Sequence, residues 1–221
     1  TACSLASEPI PAGPIETGPM PGEQAESVSL VPVRQPRASS GQAIFEQHCA
    51  ACHGPSGAGD GASSAQLADQ GALLPNFTDP DLARMRAPAE WYQTITNGAM
   101  ARMMPPWRDT LTDSERWDVA YYLYTLSADA GTLAEGERLY EEHFAEQFGE
   151  GGEEIGLDAP GALANLSQQQ IIDEYLADAG AELSDDELRA VAAYIQTFGY
   201  DPDLAAASEE PAAVAGGGAP A

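Results

Sequence analysis

A short run of reactive residues, Cys49-x-x-Cys52-His53, constrains this chain more than any other part of its sequence. The whole chain holds three cysteines and three histidines in 221 residues, so their clustering is informative. At this spacing both thiols lie on one turn and face one edge of a planar macrocycle. The next residue then lies beneath the macrocycle's centre. The motif predicts thioether attachment of a c-type haem through Cys49 and Cys52, with His53 as the proximal iron ligand.

Other chemistry for these two cysteines has less support. A thioredoxin-like redox pair is expected near a strand–helix–strand pattern, and the sequence has none. A structural zinc site requires four ligands, and the remaining cysteine, Cys3, is distant in the chain. A disulfide between Cys49 and Cys52 closes too short a loop to stabilise the fold much. We therefore expect one covalently bound haem c.

Proline and glycine divide the chain into folded blocks and connecting segments. Residues 1–39 contain seven of the 17 prolines and few large apolar side chains, which predicts a linker. Residues 201–221 are interpreted in the same way as a disordered tail. Between them we expect a haem-binding domain at residues 40–127 and an acidic domain at residues 128–200.

Helix start and stop signals occur three times in the first folded block. Ser39 with Gln42 is a candidate capping box for the first helix. The second helix is predicted at residues 87–98, with Pro88 near its start and Gly98 just past its end.

The third helix is predicted at residues 111–126, where Thr112 and Glu115 form a second candidate capping box. No segment alternates apolar and polar residues as a half-buried strand does. The fold class is therefore predicted to be all-α.

The second block repeats the first. Residues 40–54 align without a gap with residues 135–149, and residues 111–126 align with residues 183–198 at seven identities in 16 positions. Two segments that match in the same order indicate an internal duplication of one helical unit.

The second copy has lost its haem chemistry. Phe144, Gln147 and Phe148 stand where the first copy has its two cysteines and histidine, and no Cys or Met follows Met104. We expect Phe144 and Phe148 to fill the space that haem would take, and His143 to be an ordinary helix residue. Such a domain has two possible roles: it packs against partners in a larger assembly, or its acidic surface holds basic proteins. We favour assembly.

A methionine-rich stretch between the second and third helices offers a second iron ligand. It contains Met100, Met103 and Met104, and Met104 precedes Pro105 and Pro106. Proline imposes an extended course that suits a ligand loop, and a thioether paired with histidine raises the reduction potential. The alternative is that these methionines only fill the core.

With these motifs, residues 40–127 resemble a bacterial mono-haem class I c-type cytochrome. The shared features are the aromatic Phe45 before the attachment motif, the Met-Pro-Pro loop and an aromatic-rich last helix. The resemblance implies the small class I helical fold, duplicated here. It also implies Met104 as the distal iron ligand, with Met103 as the alternative.

The same resemblance implies supporting contacts. Gly41 and Phe45 are expected to touch the last helix near Tyr122. The carbonyl oxygen of Pro75 is expected to accept the Nδ1 proton of His53, which would fix the orientation of the ring.

Arginines and a tryptophan surround the proposed ligand loop. Arg84, Arg86, Arg102 and Arg108 lie close to it in sequence. One or more could pair with haem propionates, or each could pair with acids on the surface. Trp107 is expected to pack near the haem.

The charge is strongly negative and uneven. The net charge is −26, and all nine basic residues are arginine. Residues 41–127 carry ten acids and five arginines, whereas residues 128–200 carry seventeen acids and two arginines. This balance argues against nucleic acid as a partner and favours basic protein surfaces, although it also fits solubility or adaptation to salt.

The start of the chain points to export and a lipid anchor. Haem attachment of this type occurs outside the cytoplasm, and Thr-Ala-Cys3 resembles the end of a bacterial lipobox. Lipidation of Cys3 would require removal of Thr1 and Ala2, so Cys3 could instead be a free or otherwise modified thiol. We expect a lipid-anchored protein on the periplasmic side of the inner membrane.

The expected function is electron transfer, without enzymatic activity of the chain by itself. The architecture is similar to the mono-haem cytochrome subunit of alternative complex III. That similarity implies quinol oxidation, a multi-haem partner subunit, and an oxidase or soluble carrier as acceptor. One alternative is a free membrane-tethered shuttle. Another is a haem peroxidase or ligand-binding haem protein, which requires an open iron site.

Overall fold

A computed structural model describes residues 30–157, 159 and 161–201. Their regular structure is helical, with two isolated β-bridges, so the prediction of an all-α fold is confirmed. The α-helices are Ala38–His48 (α1), Ala50–His53 (α2), Ser64–Asp69 (α3), Pro80–Arg84 (α4), Pro88–Asn97 (α5), Asp113–Thr125 (α6), Ala130–His143 (α7), Ala145–Phe148 (α8), Gln168–Ile171 (α9) and Asp185–Gln196 (α10). Five 3₁₀ or π segments in the described residues occupy Met100–Arg102, Glu150–Ile155, Ala162–Asn165, Ile172–Leu176 and Thr197–Gly199.

The predicted helix starts are right in two of three cases. Helix α5 begins at Pro88, and α6 begins after the Thr112–Glu115 capping box, as predicted. The capping box at Ser39 is wrong. Helix α1 already begins at Ala38, and its entry is held from another helix, because a carboxylate oxygen of Asp118 accepts the N–H of Arg37 at 2.8 Å.

Helices α1 and α6 pack closely because Gly41 has no side chain. A Cβ at Gly41 would lie 2.1 Å from the carbonyl oxygen of Asp118 and 2.8 Å from the Cβ of Tyr122. One turn further, the Phe45 and Tyr122 rings lie 5.4 Å apart. The expected contact of Gly41 and Phe45 with the last helix is therefore confirmed.

The acidic half contains a helix pair with the same contact. A Cβ at Gly136 of α7 would lie 2.1 Å from the carbonyl oxygen of Ala190 and 2.9 Å from the Cβ of Tyr194. In the sequence alignment, Ala190 and Tyr194 correspond to Asp118 and Tyr122. The two helix pairs thus share a point of closest approach. The duplication itself stays a prediction.

Residues 30–37, here called the N-terminal strap, belong to the predicted linker and bond to helix α6 through Arg34 and Arg37. Both guanidinium nitrogens at the tip of Arg34 donate to the Asp118 carboxylate, at 2.9 and 2.6 Å. The backbone of Asp201 bonds to Pro36 and Ala38, so Asp201 does not belong to a disordered tail. The predicted linker is therefore bonded to the folded part of the chain at its C-terminal end, and its remainder lies outside the described residues.

The two halves have separate cores that meet along one side. The first core is aromatic and includes the buried Trp117 and Tyr121 of α6; the second gathers around Phe144 and Val191. Tyr200, which follows α10 in the chain, packs in the first core, where its ring lies 5.3 Å from that of Tyr121. Among the described residues, no helix has both the length and the apolar character needed to cross a bilayer.

Candidate haem site

The attachment motif lies at a break between two helices. Helix α1 ends at His48, and Cys49 leaves the regular helical conformation at φ −113° and ψ −36° before α2 begins. The N–H groups of Cys52 and His53 both donate to the Cys49 carbonyl, at 3.1 and 2.9 Å. This tight turn brings two thiols and one imidazole together, and the thiols are not joined in a disulfide.

The backbone after the motif turns sharply away. Gly54 adopts φ +81°, a conformation that favours glycine, and a Cβ there would collide with the Asp60 carboxylate. The His53 carbonyl accepts the N–H of Gly59 at 2.8 Å. These contacts hold His53 at the start of a loop that returns past the motif.

Next to this turn lies an open cleft with about 960 Å³ of space, part of which is open solvent. Its lining residues are His48, Cys49, Cys52, His53, Leu67, Leu73, Leu74, Pro75, Phe77, Leu82, Arg86, Trp91, Thr94, Ile95, Ala99, Arg102, Met103, Met104, Pro105, Trp107 and Leu123. None of these residues is acidic, although the chain contains 35 acids.

The methionine loop forms another part of the cleft wall. Ala99 and Met104 exchange two backbone hydrogen bonds, of 2.8 and 3.2 Å, which close the loop into a narrow hairpin. Gly98 is required at its base, because a Cβ there would lie 2.7 Å from the Met104 carbonyl oxygen. Met103, which directly precedes the closing residue Met104, has φ 59°, and a left-handed residue with a side chain costs roughly 1–2 kcal/mol.

The predicted ligand residues therefore come together from distant parts of the chain. Cys49, Cys52 and His53 lie on one wall, and Met104 lies on the loop after α5. Met103 lines the same cleft, so position alone leaves both methionines as candidates. Cys3 lies outside the described residues.

Burial keeps two of these groups neutral. It raises the pKa of the Cys49 thiol to about 12, with a smaller contribution from the nearby Cys52. It also lowers the pKa of His53, whose ring lies 5.0 Å from that of Phe77. A neutral imidazole is the form that binds iron.

The expected hydrogen bond from His53 to Pro75 is not formed. The Nδ1 atom of His53 is buried, and no acceptor for it is found in the described part of the chain. Pro75 does line the cleft, but its carbonyl oxygen lies beside Gly59. The prediction placed the right residue near the site with the wrong contact.

Two of the four arginines reach the cleft. Arg86 and Arg102 line it, and the Arg86 guanidinium lies 5.4 Å from the centre of the Trp91 ring. Arg84 points elsewhere and donates to Gln169 of α9 at 2.8 Å. Arg108 does not line the cleft, so of these four arginines Arg86 and Arg102 are the ones placed to meet an acidic group bound there.

The sequence did not single out the aromatic wall of the site. Phe77 and Trp91 are buried and meet edge to face at 5.5 Å. Phe77 is positioned by its N–H, which donates to the Gly57 carbonyl at 2.8 Å. Trp107 does line the cleft, as expected, and lies 5.3 Å from the His48 ring. An apolar cleft with thiols, an imidazole and thioethers in its walls fits a covalently attached haem.

The corresponding part of the acidic half is filled by side chains. Phe144 stands at the position of Cys49 and is fully buried, and Phe148 stands at the position of His53 and is almost fully buried. Their rings stack at 5.5 Å. His143 is exposed in the last turn of α7, as expected of an ordinary helix residue.

Comparison with known proteins agrees with the chemistry of the cleft. Residues 36–123 match the family described as cytochrome c oxidase, cbb3-type, subunit III. No curated protein matches the chain. A solved structure, the reducing HAO-like protein complex of Kuenenia stuttgartiensis, aligns at 22% identity over 76% of this chain and 99% of its own, with a TM-score of 0.33. At that score the similarity says nothing about function. The match over residues 36–123, together with the Cys-x-x-Cys-His motif and the helical fold of this segment, supports a class I c-type cytochrome domain in this part of the chain.

Proposed function

We propose that this protein transfers electrons through a single haem c attached to Cys49 and Cys52, with His53 and Met104 as axial ligands. A c-type cytochrome domain implies haem-based electron transfer, and the ligand assignment is the part proposed here. The observation that carries it is the meeting of both thiols, the imidazole and the Met104 thioether in one cleft. When bound, the haem supplies one-electron chemistry by alternating between ferric and ferrous iron.

The residues of the chain hold and shield this group. Phe77 and Trp91 exclude water from one side, which favours a high reduction potential. Arg86 and Arg102 are the cations placed to neutralise the propionates. No acid is among the residues that line the cleft, which would favour the reduced state of an iron held there.

Spectroscopy of the exported protein tests this assignment. The wild-type protein should carry one haem per chain that resists acid–acetone extraction, with a low-spin spectrum in both oxidation states. Cys49→Ser combined with Cys52→Ser should abolish the covalent haem. Met100→Ala, which changes an exposed methionine of the same loop, should leave the spectrum unchanged. High-spin ferric iron, or rapid CO binding by the reduced wild-type protein, would instead indicate a peroxidase or ligand-binding protein.

We further propose that the chain is a subunit of a membrane respiratory or photosynthetic complex that oxidises quinol. Anchored by lipid on Cys3 at the periplasmic side of the bacterial inner membrane, it would receive electrons from a multi-haem subunit. Its acceptor would be an oxidase or a soluble carrier. The acidic half, which we interpret as a duplicated unit without haem, supports assembly because it adds surface without adding a redox site.

A second candidate is direct donation of electrons to an oxidase. The family that matches residues 36–123 is described by an oxidase subunit, which favours this candidate. Purification in mild detergent separates the possibilities. Co-migration with a multi-haem cytochrome supports the quinol-oxidising complex, and co-migration with a haem–copper oxidase supports direct donation. Recovery as a lone monomer supports the tethered shuttle.

A further inference from the structure

The ligand loop carries two thioethers on the same side of the cleft. Met103 and Met104 both line it, and both are partly buried. Side chains of consecutive residues on an extended backbone point in opposite directions. The left-handed conformation of Met103 turns the chain between them, so that both side chains line one surface.

The two residues are held very differently. The backbone of Met104 is bonded to Ala99 through both its N–H and its carbonyl. Met103 directly precedes the closing residue Met104, and its N–H donates to the Met100 carbonyl at 3.0 Å. Among the described residues it is the non-glycine residue with positive φ. Any movement of the loop that returns Met103 to negative φ is therefore favoured by release of strain.

We propose that Met103 is a second distal ligand, which takes the iron when Met104 is displaced or removed. This inference rests on the proposed haem and its thioether ligation. Met103 supplies the same donor atom as Met104 from the neighbouring position. The strain at φ 59° belongs to the loop as the structure shows it, and a rearrangement that brought Met103 to the iron and relieved this strain would be favoured. The loop would then offer the same donor atom from either of two neighbouring residues.

Methionine methyl resonances of the reduced holoprotein test the proposal directly. A methyl group bound beneath the haem plane shifts far upfield through the ring current, and methionines labelled with ¹³C on the methyl make it visible. The wild-type protein should show one such methyl, assigned to Met104. The Met104→Ala protein should still show one, which disappears in the Met103→Ala, Met104→Ala double variant. Met100→Ala is the matched control and should keep the wild-type resonance, since Met100 is 70% exposed.

The outcomes separate this proposal from the proposed function. A wild-type protein without any upfield methyl contradicts thioether ligation itself. A wild-type protein with one, but a Met104→Ala protein that is high-spin and has none, overturns the second-ligand role and leaves electron transfer intact.

The strain has its own measurement, made on two variants that both lack the Met103 thioether. Imidazole binding to the ferric protein reports displacement of Met104. Met103→Leu keeps a side chain at the left-handed position, whereas Met103→Gly removes the penalty. We expect imidazole to bind Met103→Gly about fivefold or more weakly than Met103→Leu. Equal affinities would show that no strain favours exchange and would overturn this part of the proposal.

Discussion

The two halves of this molecule pair their helices in the same way and differ in what lies beside them. Gly41 against α6 and Gly136 against α10 make equivalent close contacts. Between the paired helices, however, the first half has residues 55–110 and the second only residues 150–182. The longer segment supplies Phe77, α5 and the methionine loop, which wall the cleft. The helix pair is therefore a scaffold common to both halves, and the longer intervening segment of the first half forms the cleft beside it.

Of the substitutions that test this comparison, removal of the Phe144 ring should lower the free energy of unfolding most. Phe144→Ala deletes a fully buried ring that stacks on Phe148. Cavities left by such substitutions cost about 3–5 kcal/mol of unfolding free energy. Urea unfolding of the holoprotein, followed by circular dichroism, measures the loss. His143→Ala, at the exposed preceding position, is the control and should change little. A neutral Phe144→Ala would mean that the second half does not depend on the ring that stands in place of Cys49.

Substitution of the glycine at the helix contact should destabilise both halves to a similar extent. Gly41→Ala and Gly136→Ala each place a methyl group 2.1 Å from a carbonyl oxygen of the facing helix. The helices must separate, at a cost of about 2–3 kcal/mol. Gly131→Ala, also in α7, places its methyl 3.3 Å from the tip of a side chain and should not destabilise. The same unfolding measurement applies. A large effect for Gly41→Ala with none for Gly136→Ala would contradict the equivalence of the two helix pairs.

The N-terminal strap breaks the symmetry of the halves, because Asp118 corresponds to Ala190. The Asp118 side chain is 2% exposed and the Arg34 side chain 39%. Arg34→Ala removes two hydrogen bonds from a buried carboxylate that keeps the bond from the Arg37 N–H. We expect Arg34→Ala to cost about 2 kcal/mol, discounted for the exposed partner. Asp118→Ala should cost at least as much, because it also removes the acceptor of the Arg37 N–H at the start of α1. In the Asp118→Ala protein, Arg34→Ala should have little further effect. An equal effect of Arg34→Ala with and without Asp118, measured by thermal unfolding, would show that the pair does not stabilise the strap.

What the sequence predicted well was local. The attachment motif and the cap at Thr112 depend on residues within one or two turns, so their spacing carries the information. The Arg34–Asp118 pair joins residues 84 positions apart, and no periodicity indicates it. The same holds for His53 Nδ1, which has no acceptor in the described part of the chain because the Pro75 carbonyl lies beside Gly59 instead. The choice between Met103 and Met104 likewise depends on a backbone conformation that their shared chemistry does not reveal.

The smallest loss of stability is expected from removing the N-terminal caps of α6 and α10, which are equivalent in the two halves. Thr112 with Glu115 and Ser184 with Glu187 form matching capping boxes. Thr112→Ala and Ser184→Ala should each cost about 1 kcal/mol of unfolding free energy.

Hydrogen bonds from Thr112 lower the pKa of Glu115, and those from Ser184 lower the pKa of Glu187. Because each folded pKa lies below the unfolded one, the stabilisation is complete above the unfolded value of about 4.3. It is lost as the pH falls through the folded value. The cost of Glu115→Ala and of Glu187→Ala, measured by unfolding at a series of pH values, should therefore shrink in acid in parallel. A pH-dependent cost at one box alone would show that the other is not formed in solution.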